Sequence, residues 1–437
     1  MKLRRTFAVG AAATIAVASV FTFHTAAHAD QEIIELGDPR ADAVSPVDPR
    51  IVEAMAEANE ETPAEVYNRL AVQDLASEVE EQWHDHPNFG GVWVDETAEE
   101  IFLATTDAKA IVDPRATTVE VNYTVSELAE YVDLLVNPAE DHSEADSLAS
   151  PSQLETDDVD SERDNGEMRI NGPGIHGGFV NVMGNLAVVE AVDSEPIEEL
   201  AAREGIPSDA YTVDVRDEGN ETFLADLDAE TQVGLQPRFD DNPNHIYGGD
   251  TYHAGGVCTV GFGVIKANGG AAFVTAGHCG SVGTTVTHGT AEGSIFTQSV
   301  FPGSDAAVVD VPPHKTMMNA VRAASHVVQI QGSKEAPVGA TVCKYSMLHG
   351  ISCGVIEARN VSVTYPQGMV RGLTRTNICS EPGDSGAPVI SSAHAQGIVS
   401  GGSGNCSMGG TTFIQPINPI LNAWNLTLGG ATPPTTS

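Results

Sequence analysis

The chain has 437 residues and a formal net charge of −40, with 41% hydrophobic and 19% charged residues. The charge is unevenly held: residues 246–437 carry 8 Lys+Arg and 8 Asp+Glu, whereas residues 30–245 carry 10 and 53, a net of −43. A segment that acidic argues against nucleic acid or an anionic membrane as its partner, and reads first as a well-solvated surface.

The chain opens with Lys2, Arg4 and Arg5, an apolar run from Phe7 to Phe23, and the small-x-small site Ala27-His28-Ala29. That layout predicts a signal peptide over 1–29 and an exported, extracellular product. No later apolar run is long enough to span a membrane.

Residues 30–245 read as an acidic α+β pro-region. In a first subdomain, about 62–136, Val66, Leu70, Val72, Leu75 and Val79 fall near helical spacing and predict one or two amphipathic helices between Ala64 and Trp83. Phe89–Asp107, "FGGVWVDETAEEIFLATTD", predicts a hairpin, and a helix is expected from Ser126 to about Leu135. Residues 137–168 are a polar linker. A second subdomain, 169–233, should hold strands near Val180–Val189 and Tyr211–Val215. Residues 234–245 are proline-broken and polar, and make an exposed cleavage region, with the cut expected near His245-Ile246.

From Ile246 the texture changes. Residues 246–437 hold 30 glycines, against 12 in residues 30–245. Short β-rich runs between Gly, Ser, Thr and Pro turns predict an all-β barrel or sandwich over 246–428. One closing helix is expected, capped by Asn418 with Pro419 in its first turn. Residues 429–437 read as a disordered tail.

All six cysteines lie in this last part: Cys258, Cys279, Cys343, Cys353, Cys379 and Cys406. An even count in an exported chain predicts disulfides, and six cysteines allow 15 pairings. No Cys-x-x-Cys or paired Cys/His spacing supports zinc, so neither metal nor cofactor is expected.

Three residues can carry hydrolytic chemistry. His278 follows the apolar run Phe273-Val274-Thr275, Asp305 sits at the mouth of the run Ala306 to Val311, and Ser385 lies within Gly383-Asp384-Ser385-Gly386. A serine nucleophile needs a base, an orienting carboxylate, and N–H groups for the oxyanion. His278, Asp305 and Ser385 supply the first set; the N–H groups of Gly383 and Ser385 supply the oxyanion hole. Taken singly, each has a bland reading: a surface histidine, a turn aspartate, a glycine-rich turn. Their order, His…Asp…Ser, differs from the Ser…Asp…His order of α/β-hydrolases and from that of subtilisins.

Together "TAGHC", "GSDAAVV", "CSEPGDSGAPV" and "SGGSGNCSMGGTTFIQPI" resemble the chymotrypsin-fold serine endopeptidases. The likeness is to the secreted bacterial streptogrisin and α-lytic protease branch, over about Ile246 to Leu428. The acidic region resembles that branch's long pro-regions more weakly. The resemblance implies two six-stranded β-barrels with the site between them. It implies His278 as base and acid, Asp305 as orienter and Ser385 as nucleophile. It further implies disulfides Cys258–Cys279, Cys343–Cys353 and Cys379–Cys406, a hydrogen bond from Ser400 near Asp305, and substrate binding by Ser380, Ser400, Gly401 and Gly402. Lys344 stands where that branch has an arginine, and an ion pair with Asp384 is expected. Val399 replaces a histidine that marks glutamate-cutting members, so the expected preference is for Phe, Tyr, Leu or Met before the cut bond, with Glu381 at the rim.

The expected product is a secreted zymogen that is a monomer when mature, with protein or peptide substrates and its own pro-region in cis as partners. Thirty glycines and non-local β pairing make folding slow, which gives a pro-region the role of template and inhibitor until autocleavage. The alternatives are a catalytically silent, protease-like binding protein and an esterase.

Overall fold

The computed structural model describes residues 49, 52–53, 55–56, 61–95, 99–137, 174–216, 222–223, 240, 242–324 and 326–433. The expected signal peptide, all but the first residue of the 137–168 linker, and most of the expected cleavage region lie outside the described residues.

The first subdomain is one helix, a hairpin with a third strand, and a second helix. Helix α1, Pro63–Trp83, starts at a capping box in which Thr62 and Glu65 satisfy each other's backbone N–H groups, with Pro63 in its first turn. Strands β1 (Phe89–Val94) and β2 (Ile101–Thr105) form the antiparallel hairpin expected over 89–107, and β3 (Thr117–Glu120) adds in parallel. Helix α2, Val125–Val136, repeats the capping box with Thr124 and Glu127.

The second subdomain departs from the sequence reading. Val180–Val189 is not one strand: β4 (Ile175–Asn181) turns back through Asn185, at φ 51, into β5 (Leu186–Ala191). Asparagine tolerates that left-handed turn position better than most residues. Helix α3, Glu195–Glu204, was not expected; it ends on Gly205 at φ 73. Strand β6 (Tyr211–Val215) lies parallel to β5, and β7 is the short piece Thr222–Phe223.

The β-rich part begins with strands β8 (His245–Gly248), β9 (Thr251–His253), β10 (Val257–Thr259), β11 (Gly263–Lys266), β12 (Ala271–Thr275), β13 (His288–Gly289), β14 (Ile295–Val300), β15 (Ala306–Asp310), β16 (Thr316–Ala323) and β17 (His326–Gln329). They pair as β10-β9-β13, β14-β15-β12-β11 and β17-β16-β8. The second half is built from β18 (Thr341–Ser346), β19 (Gly350–Tyr365), β20 (Gly368–Thr376), β21 (Pro388–Ser391), β22 (His394–Asn405) and β23 (Gly409–Pro416). These six run β18-β21-β22-β23-β20-β19, and β19 pairs back to β18, so the second barrel closes and keeps no free edge at that seam. Helix α4, Ile417–Ala423, and β24, Leu426–Leu428, return the chain to β11 in the first half.

Three boundaries are corrected. Asn418 does not cap α4: its side-chain amide donates to Ser333 O and Glu335, and Pro416 holds the cap position. The tail expected from 429 starts later, because Gly429 N donates to Gly263 O, Ala431 N to Met317 O, and Asn319 N to Ala431 O. A sheet edge that needs partners takes them from residues whose composition alone reads as tail. The boundary at 246 falls inside β8, which pairs in parallel with β16 from His245 onward.

The acidic segment before β8 packs on the second barrel and shares its cores. Val66 and Leu70 of α1 pack in one cluster with Tyr345, Ile390 and Ile398; Trp93 packs in another with Val338, Val342 and Val389. Strand β4 pairs antiparallel with β19, Gly177 opposite Val363 and Gly178 opposite Ser362, so the barrel sheet continues through β4, β5 and β6. Four basic residues of the β-rich part turn to the acidic segment. Arg359 pairs with Glu80 and Arg375 with Glu190; Lys334 donates to Asp74 O and Arg371 to Asn137.

Candidate active site

Strand pairing brings the first two residues together. β12 lies antiparallel to β15, with Thr275 opposite Ala307. The turn Gly277–Cys279 after β12 and the residue before β15 therefore meet at one end of the sheet. The disulfide Cys258–Cys279 ties that turn to β10. The other two bonds are Cys343–Cys353, across the β18–β19 hairpin, and Cys379–Cys406, which links the segment before Ser385 to the end of β22.

Asp305 is fully buried, and a buried carboxylate is costly unless it is paired. It receives three donors. His278 N–H lies 3.0 Å from Oδ1, His278 Nδ1 lies 2.8 Å from Oδ2, and Ser400 Oγ lies 2.5 Å from the same Oδ2. Its own N–H donates to Gln415 Oε1 at 2.9 Å, which fixes the backbone as well. A carboxylate only accepts, so the imidazole proton sits on Nδ1. Nε2 is then left as an acceptor, 2.9 Å from Ser385 Oγ. The ring of Phe301 meets the His278 ring edge-on, with centroids 5.7 Å apart.

Ser385 is fully buried in a turn set by its neighbours. Gly383 adopts φ 97, a region that side-chain-bearing residues resist. Thr259 holds this turn from below: its Oγ1 donates to Gly383 O at 2.7 Å and its N–H to Ser385 O at 2.8 Å. Among the described residues the N–H groups of Gly383 and Ser385 have no acceptor, whereas those of Asp384 and Gly386 do. Two adjacent donors are thus left beside the Ser385 hydroxyl, the arrangement a developing oxyanion requires.

Asp384 anchors the same turn. Lys344 Nζ bonds Asp384 Oδ2, with both side chains fully buried, and also donates to Cys379 O at 3.0 Å. Burial alone would raise the Asp384 carboxyl; Lys344, followed by His349, outweighs it and holds the group well below the usual carboxylate range.

The remaining residues named from the sequence take different places. Ser400, fully buried, spends its hydroxyl on Asp305, and Tyr365 OH lies 3.4 Å from it. Gly401 and Gly402 lie on β22 with their outer edge paired to β7, Gly401 opposite Phe223 and Gly402 opposite Thr222. Ser380, buried, accepts from Thr412 Oγ1 at 3.0 Å. Glu381 accepts from Cys406 N through Oε1. Sequence reasoning missed Thr259, Gln415, Tyr365 and His349, whose signals are single polar residues within β-rich runs.

The family model described as Trypsin matches residues 263–424. Streptogrisin-C of Streptomyces griseus is 50% identical over 199 residues, covering 43% of this chain and 42% of that protein. Serine protease 2 of Streptomyces fradiae is 36% identical over 180 residues, covering 38% of this chain and 100% of that protein. Among solved structures, a Nocardiopsis protease (NAPase) is 51% identical with 42% of this chain and 98% of that chain covered, at a TM-score of 0.40. The chain spans about half the length of the streptogrisins it matches.

Proposed function

The chain belongs to the trypsin-type serine proteases of the chymotrypsin fold, and from that membership we propose that it is a secreted serine endopeptidase made as a zymogen. His278 Nε2 takes the Ser385 hydroxyl proton as Oγ attacks the substrate carbonyl carbon. The resulting oxyanion is met by the N–H groups of Gly383 and Ser385. Asp305 keeps the imidazolium oriented while it passes its proton to the leaving amine. Water, deprotonated by the same imidazole, then releases the acyl group and restores the serine. The observation that carries this reading is the unbroken line from Asp305 through His278 to Ser385 Oγ, at 2.8 and 2.9 Å.

The acidic segment that follows residue 29 and ends before Asp240 acts in cis as folding template and inhibitor, and is then removed by self-cleavage. Two strand pairings favour that role. β4 extends the β19–β20 sheet, and β7 lies antiparallel along Gly401 and Gly402, the edge on which an extended substrate would add as a strand. The substrate is a protein or peptide with a medium or large apolar residue before the cut bond. Val399, fully buried in an apolar cluster with Val389 and Ile414, favours this. The mature product is an extracellular monomer that needs no cofactor, and the signal peptide is residues 1–29.

A fluorophosphonate offered to the secreted product should label it once, at Ser385, and Ser385→Ala should abolish both label and peptide hydrolysis. Absence of labelling in the secreted parent would favour a catalytically silent binding protein. A panel of peptides differing only before the cut bond should rank Phe, Tyr, Leu and Met above Glu and Lys; the reverse order would refute the apolar pocket.

A further inference from the structure

The Asp384 carboxylate has two oxygens, and Lys344 reaches only one. Oδ2 takes the Lys344 ammonium and the Glu381 N–H, the latter at 3.0 Å. Oδ1 has one donor among the described residues: His349 Nδ1, at 3.0 Å. A lysine is a point charge, unlike a guanidinium that could fill both oxygens. We propose that His349 is a positioning residue for the oxyanion donors, fixing the Asp384 carboxylate through Oδ1 so that the N–H groups of Gly383 and Ser385 stay aimed at the reacting carbonyl. This rests on the hydrolytic reading of the site given above.

The placement of His349 is built rather than incidental. It follows β18 in the turn toward β19, and Ser346 Oγ accepts from both the Leu348 and the His349 N–H groups, at 3.2 and 3.3 Å. Cys343–Cys353 staples that hairpin across its two strands, one residue from Lys344. A single rigid hairpin therefore delivers both Lys344 and His349 to the fully buried Asp384. The His349 ring keeps 27% of its surface exposed, so it can be replaced without opening a core cavity. The peptide planes on either side of Asp384 carry the geometry onward. The N–H of Ser385 belongs to the plane that follows Asp384, and Asp384 N–H is itself bonded to Glu381 O. Rotation of the carboxylate about its side chain is then resisted at both oxygens, and slack at Oδ1 is passed to the oxyanion donors. Such donors act on the transition state more than on the bound substrate.

The test uses the full-length chain, secreted and self-processed, with rates divided by active sites titrated with a fluorophosphonate. Against a peptide nitroanilide that the parent cleaves, His349→Ala should lower kcat about tenfold, the low end for one hydrogen bond to a charged group. KM should stay within about twofold, as for an interaction made in the transition state. His349→Asn, whose amide can occupy the place of Nδ1, should recover most of the loss. The per-site normalisation separates this from poor folding, which lowers the number of sites and not the rate of each. An unchanged kcat in His349→Ala overturns the proposal, as does a rise in KM matching the fall in kcat, or an Asn variant as slow as the Ala one. A parent that takes no label overturns it together with the hydrolytic reading; a labelled, active parent with an indifferent His349→Ala overturns it alone.

Discussion

Replacing Lys344 by Met should be among the most damaging changes in the second barrel that touch no reacting atom. Lys344 and Asp384 are both fully buried, and the ammonium also holds Cys379 O. Met keeps most of the stem's volume and deletes the charge. The variant leaves a buried carboxylate with only His349 and the Glu381 N–H, and breaking a buried pair in this way costs about 3–5 kcal/mol. At roughly 2–4 °C per kcal/mol for a domain of this size, the thermal midpoint should fall by about 10 °C. The pH dependence follows from the direction of the shift. In the parent the Asp384 carboxyl is depressed, because Lys344 and then His349 outweigh burial. Its contribution is therefore present above the unfolded value, about 4, and is lost only in stronger acid, so it is constant from pH 5 to 8. In Lys344→Met the attraction of the ammonium is gone and burial dominates, so the carboxyl is raised. The sign reverses: stability from this group is present below about pH 4 and lost as pH rises. The deficit should thus be larger at pH 8 than at pH 5. Both chains would carry Ser385→Ala, which stops self-digestion, and be followed by circular dichroism on heating. A midpoint at pH 8 within about 2 °C of the control, or a deficit that grows toward acid, would refute the reasoning.

Gly177→Ala should cut the yield of mature enzyme sharply and leave each surviving active site at full rate. The added Cβ would lie 1.9 Å from Ser362 O and block the β4–β19 pairing, yet the residue belongs to the segment proposed to be removed. Normal yield would mean that this pairing does not assist folding. Asp305→Asn should lower kcat by about 10⁴, because an amide can accept from Ser400 and favour the wrong tautomer of His278. Loss below about tenfold would remove Asp305 from the orienting role. The amino terminus of the secreted product, read by mass spectrometry, should lie at or before Asp240 and not at Ile246. Asp240 accepts from His245 and Tyr247 and is itself held by Arg322, while Asn244 O takes the Thr316 N–H. A product starting at Ile246 would show that these contacts are given up on processing.

What the sequence disclosed was local chemistry. A glycine pair with alternating apolar residues announced the β1–β2 hairpin, helical spacing announced α1, and the runs around His278, Asp305 and Ser385 announced strand ends and a tight turn. Each of those signals sits within about twenty residues. Helix α3 was hidden because its apolar face is only Ile197, Leu200 and Ala201 amid glutamates, in a segment already acidic throughout. The β4–β5 hairpin read as one strand because its turn, with Asn185 at φ 51, is flanked by apolar residues on both sides.

The rest was unreadable because it is a matter of register between distant segments. Nothing in "IHGGFVN" says that Gly177 will face Val363, yet that pairing joins the acidic segment's sheet to the second barrel. The same holds inside the site. Lys344 beside Asp384 and Ser400 near Asp305 were expected from the resemblance, but His349 from the β18–β19 turn and Gln415 from β23 were not. In each case a charge or polar group that would be costly alone is satisfied by residues from elsewhere in the chain. Burial is therefore the quantity that links the two levels. Because Asp305 and Asp384 are fully buried, their partners are obligatory, and a change to any partner is transmitted to His278 or to the turn that holds Ser385.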